Sequence, residues 1–155
     1  MKHSPLQLLR YFVPEISCSA NSTFDPEKES VNGPDHLSVS AVVARQKDAD
    51  NLPGHSWSVE MNVTQTLKEG CNFPYKFNLA LIGFFVCKDG FPTPAAEEQF
   101  VRVNGSSMLY GASRELVRSL TSRGPWGELF LPTLSFYAKA AAPQAEQPPV
   151  PAKST

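Results

Sequence analysis

Few residues in this chain could do acid, base, nucleophilic or metal chemistry, and their spacing suits none of it. The three histidines, His3, His36 and His55, fall in a terminus, in loops or at strand edges. None is spaced with a carboxylate or a cysteine as a metal site, or a nucleophile and its base, would require. The three cysteines, Cys18, Cys71 and Cys87, form no C-x-x-C pair and have no histidine companions at zinc-ligand spacing. Reduced thiols in a reducing cytoplasm are the expectation. Gly105 and Gly111 lack the Lys-Ser/Thr or Gly-x-Gly-x-x-Gly context of a phosphate loop. Glu97-Glu98 and Arg114-Glu115 are adjacent pairs, which on a helix do not share a face, and are expected as solvated polar residues. These patterns point to a protein that is not an enzyme and needs neither metal nor cofactor.

What remains is apolar surface and the elements that present it. A chain of 155 residues suits one domain with a real core. Net charge is -1, from 14 Lys+Arg against 15 Asp+Glu, so no surplus of either sign advertises nucleic acid or an anionic membrane. Residues 5–13 are partly apolar, but Gln7 and Arg10 interrupt them and no small-residue cleavage site follows, so a cytoplasmic chain without a signal peptide is expected. The longest apolar run, Leu79 to Cys87, is about half the length a bilayer-spanning helix needs, and reads as a buried strand.

Four strands are predicted. Leu6–Ala20 is the first, and Pro14, which cannot donate a ladder hydrogen bond, marks it as an edge strand or a bulge. His36–Arg45 alternates with Leu37, Val39, Ala41 and Val43 on one side. Trp57, Val59, Met61 and Val63 alternate with polar residues in the third, and Phe73 to Cys87 forms a long fourth whose second half is apolar on both sides. A short helical piece over about 95–103 follows. Asn104-Gly105-Ser106 is expected to break and re-cap it before a main helix. In that helix Met108, Leu109, Ala112, Leu116, Val117 and Leu120 share an apolar face, and Gly124-Pro125 ends it. Strands followed by helices predict an α+β fold, a four-stranded antiparallel sheet with helices packed on one face. Residues 1–142 form the predicted domain, and 143–155, rich in Pro and Ala, a disordered tail. Phe84, Val86, Trp126, Phe130, Leu134, Phe136 and Tyr137 add more apolar area than one helix and a small domain can hide.

Several of these segments together resemble the SecB family of bacterial export chaperones. The family's Tyr-Ala-Arg-Glu has a counterpart in Tyr110-Gly111-Ala112-Ser113-Arg114-Glu115, and its stop in Ser122-Arg123-Gly124 followed by the apolar run Leu129–Phe136. Leu6–Ala20 resembles its first strand and Gly83-Phe84-Phe85 the Gly-Ile-Phe of its fourth, so that the resemblance spans about residues 6–140 in the same element order.

The resemblance implies an ATP-independent holdase, a dimer of dimers whose apolar grooves wrap unfolded precursor proteins. Carried over by position, the groove draws on Leu37 and Val39 of strand two, Trp126, Leu129 and Leu131 of a connecting loop, and Phe136 and Tyr137 of a last helix. Met108, Leu109, Leu116 and Leu120 serve core and tetramer packing. In the family an acidic sheet surface docks the SecA translocation motor. Here Glu15 keeps that charge, while Ser19 and Asn78 lack it and Lys76 is positive beside them, so motor docking is expected to weaken. Two alternatives stand beside export service: a chaperone of a toxin–antitoxin system that protects one antitoxin, and a small-ligand carrier with an apolar cavity.

Overall fold

The computed structural model describes residues 3–29, 36–48, 51–88 and 90–137. The end of the 1–142 domain and the tail expected at 143–155 lie outside the described residues. Four strands, β1 (Leu6–Ala20), β2 (Leu37–Arg45), β3 (His55–Gln65) and β4 (Tyr75–Cys87), form one antiparallel sheet in the order β1-β4-β3-β2. Among the described residues one helix, α1 (Pro94–Thr121), packs against it, so the fold is α+β as the pattern predicts.

Alternation dictates the core. Trp57, Val59, Met61 and Val63 of β3 stand beside Phe77, Leu79, Leu81 and Phe85 of β4, all buried under the helix. Pro14 acts as its chemistry requires. β1 is an edge strand, and its pairing with β4 shifts register between Phe12 and Glu15, and again between Leu8 and Arg10.

The helix corrects the sequence reading. No break occurs at Asn104-Gly105-Ser106, and the two expected helices are one 28-residue element. Thr93 caps it, its hydroxyl accepting from the Ala96 N–H at 3.1 Å, and Pro94 opens its first turn. Ser106 is buried with its hydroxyl lacking a hydrogen-bond partner among the described residues. The other two of the polar trio have a use inside the helix: Asn104 donates to the Phe100 carbonyl (2.9 Å), and a Cβ on Gly105 would come within 3.0 Å of Val59 Cγ2. Gly105 thus serves close helix–sheet packing. Gly83 on β4 does the same for Leu109, whose Cδ2 would lie 2.8 Å from an added Cβ.

The face that α1 buries is also not the one expected. Val101, Gly105, Leu109, Ser113, Val117 and Thr121, four residues apart, meet the sheet. Ser113 and Thr121 fit there because their hydroxyls donate to the carbonyls of Leu109 and Val117, each at 2.9 Å. Of the predicted packing set, Leu109 is in the core, Leu116 is half-buried, and Met108 and Leu120 are exposed.

Candidate functional site

After α1 the chain turns at Gly124 and runs back along the helix as a strap of residues 128–137. Tyr75 organises the turn. Its hydroxyl donates to the Gly127 carbonyl (2.9 Å) and accepts from the Trp126 N–H (3.1 Å). The Trp126 indole N–H donates to the Asn21 carbonyl at the end of β1 (3.0 Å), and its ring meets Phe24 edge-on at 5.3 Å. Three contacts then order the strap against the helix. The Leu129 N–H donates to Thr121 Oγ1 (2.8 Å), Arg114 Nε to the Leu131 carbonyl (3.2 Å), and the Tyr110 hydroxyl to the Pro132 carbonyl (2.8 Å). Burial raises the Tyr110 pKa, with Arg114 opposing, which keeps the phenol a proton donor.

Residues 110, 114 and 118 each follow a stripe residue, while 108, 112, 116 and 120 each precede one. At 100° per residue these are opposite flanks of the buried stripe. The strap covers the first flank and leaves Met108 and Leu120 on the second uncovered.

Within the strap, side chains divide by direction. Leu131 is buried in the core at 4% exposure, Leu129 is half-buried against it, and Phe136 packs edge-on against Tyr110 at 5.7 Å. Phe130, Leu134 and Tyr137 face outward, Phe130 at 66% and Tyr137 at 77% exposure. Arg118 stacks over Phe130 at 5.6 Å and pairs with Glu128 (3.2 Å), whose hydrogen bond and charge raise the guanidinium pKa. Beside this ion pair lies an open polar cleft of 280 Å³, lined by Glu115, Arg118, Ser119, Ser122 and Glu128.

The predicted groove residues stand on β2, at the turn and on the strap. Leu37 and Val39 sit half-buried on the helix side of β2, and Trp126 and Leu129 are half-buried at the turn and strap. Phe136 and Tyr137 are not on a second helix: the chain from Glu128 to Tyr137 has no regular structure. Phe130 and Leu134, left out of the groove set, share the outer side with Tyr137, and a strict alternation, which would put Tyr137 with Leu129 and Leu131, does not predict it.

Glu97, read as a solvated residue, is 6% exposed. Its Oε1 accepts from Trp57 Nε1 and its Oε2 lies against His55 Nδ1, both at 2.7 Å, tying the first turn of α1 to the start of β3. Arg45 stacks on the Trp57 ring at 5.5 Å and donates to Asp48 at 2.9 Å. With the Trp57 indole N–H on one oxygen and the His55 ring against the other, the carboxylate serves as a structural tie. Among the described residues no group of three or more His, Cys, Asp or Glu is arranged to hold a metal ion, and no helix is long and apolar enough to cross a membrane.

Among the described residues the sheet's other face carries no helix. Glu15 lies there and accepts from Asn78 Nδ2 at 2.7 Å, with Lys76 opposite Ser19 nearby.

No family model matches the sequence, and no curated protein matches it. Solved structures do. The Mycobacterium tuberculosis Rv1957 SecB-like chaperone, in complex with a ChAD peptide from the Rv1956 HigA1 antitoxin, matches over 84% of this chain and 91% of its own, at 17% identity and a TM-score of 0.54. A protein of unknown function from Streptococcus agalactiae matches over 83% of this chain and 97% of its own, at 11% identity and a TM-score of 0.57. The chain has a SecB-like fold.

Proposed function

We propose that this chain is a holdase chaperone that binds unfolded or extended polypeptide without nucleotide, and that it serves one dedicated client of the antitoxin type. The observation that carries the reading is the outer side of the strap, where Phe130, Leu134 and Tyr137 stand exposed on backbone that is itself fixed to α1. Apolar side chains held out on an ordered segment suit capture of apolar polypeptide, which needs no catalytic group. Leu37, Val39, Trp126, Leu129 and Phe136 form the half-buried floor of that surface, and Leu131 supports it from the core.

The free edge of the sheet adds a second means of capture. Among the described residues β2 pairs only with β3, and it has neither proline nor a register shift, so its outer backbone groups can take an extended strand. Beyond the strap, the helix side leaves Met108 and Leu120 of α1 and Leu8, Tyr11 and Ile16 of β1 exposed. A second copy covers this apolar surface, in keeping with the dimer of dimers that the resemblance implies.

A dedicated client is favoured over general export by the open face of the sheet. Glu15 already holds Asn78, and Lys76 stands among the positions where a SecA-type motor would need acidic charge. The fold's likeness to a chaperone solved with an antitoxin peptide supports the same choice. Capture of the tagged chain from its native cell, with mass spectrometry of what it holds, tests this. One small co-encoded protein is expected. Many secretory precursors would replace the dedicated-client reading with export service, and a tightly held small molecule with no polypeptide would overturn the chaperone reading.

A further inference from the structure

The open face of the sheet has an arrangement that the helix side does not explain. Residues directly opposite in an antiparallel ladder share a face, so the registers give its rows. One row is Phe12, Ile82, Glu60 and Val42; the next is Arg10, Phe84, Ser58 and Ala44. Phe12 is 51% and Val42 62% exposed, and Phe12 meets Phe84 edge-on at 6.0 Å. Arg10 lies over both rings, its Cζ 5.3 Å from the Phe12 centroid and 5.2 Å from the Phe84 centroid. Two aromatic rings thus hold a guanidinium in place. Among the described residues Arg10 has no carboxylate partner and Glu60 no cationic one.

We infer that this patch is a contact between two copies of the chain, packed open face to open face about a two-fold axis, with Arg10 of each copy against Glu60 of the other. In a two-fold contact residue i meets j and j meets i, so a self-complementary patch must carry opposite charges on either side of its centre. Arg10 on β1 and Glu60 on β3 satisfy this. They lie diagonally across β4, and the midpoint between them falls between Ile82 and Phe84, which then meet their own counterparts at the axis. The face as a whole is balanced, with Arg10 and Lys76 against Glu15 and Glu60, so two copies meet without net repulsion. A foreign partner of one dominant charge would find no matching field there. The patch covers only about two rows, so the contact is small and association falls in the micromolar range or weaker.

Charge reversal tests this without touching the strap. Arg10→Glu and Glu60→Arg each place like charges together twice in the contact, whereas the double variant restores both pairs in reversed sense. A mixture of the two single variants also pairs every contact with opposite sign. Sedimentation velocity of the full chain over a range of concentrations reads the result. Each single variant is expected to weaken this association step about tenfold or more, and both the double variant and the mixture to recover it. Melting curves close to wild type exclude misfolding, since both side chains are exposed. Single variants that associate like wild type would overturn the proposal, and so would weakening that neither the double variant nor the mixture restores. Client capture is expected to be unchanged in all of them, which separates this contact from the chaperone reading.

Discussion

The two sides of the strap are built from the same residue types and do opposite work. Leu131 turns toward the helix and is buried, with Leu129 and Phe136 half-buried on the same side, while Phe130, Leu134 and Tyr137 turn away and stay in water. The difference lies in the backbone. Arg114 and Tyr110 seize the carbonyls of Leu131 and Pro132, and Thr121 seizes the Leu129 N–H, so the helix fixes which side chains face in. An apolar residue on this segment therefore stabilises the fold or remains available to a partner according to its direction.

The largest effect should come from the inner side. Leu131→Ala removes a core side chain and is expected to cost about 3 kcal/mol of stability, read from chemical denaturation. Equal losses for Leu131→Ala and Phe130→Ala would erase the distinction between the sides. Next is the tie that holds the start of the helix to β3. Glu97→Ala leaves the buried Trp57 N–H without its acceptor and should cost about 2 kcal/mol, with a shift in tryptophan fluorescence. A stability within error of wild type would mean that the carboxylate is dispensable to the fold.

The smallest stability effect is expected at Asp48, far from the strap. The Ser56 N–H, followed by Arg45, lowers its pKa below the ordinary 3.8. A depressed folded value gives stability that is fully present above the unfolded value and lost as pH falls through the folded one. Asp48→Asn should therefore lower the melting temperature slightly at neutral pH, and the gap to wild type should close in acid. A gap that persists below that range would assign the loss to something other than charge.

Much of the fold was legible because strand alternation reports burial directly. Leu6–Ala20 matches β1 at both ends, and Pro14 located a bulge. The helix was harder because its buried stripe uses Gly105, Ser113 and Thr121, which no hydrophobic pattern selects, while apolar Met108 and Leu120 lie off it. Asn104-Gly105-Ser106 looked like a break because glycine's need for close packing depends on Val59 and Phe85, distant in sequence. Glu97 was invisible for the same reason, its burial being decided by Trp57 and His55. Of the candidate site, the apolar residues were legible and their direction was not. Trp126 and Phe136, attractive targets from sequence, each make an anchoring contact, so substituting them confounds binding with stability.

The outer residues avoid that confusion. The most direct test is aggregation of an unfolded client followed by light scattering, with wild type and the Phe130→Asp, Tyr137→Asp double variant at equal concentration. The double variant is expected to unfold within about 0.5 kcal/mol of wild type, as exposed sites do, and to lose most of the suppression. Full suppression by a variant of native stability would contradict the strap as the client-binding surface.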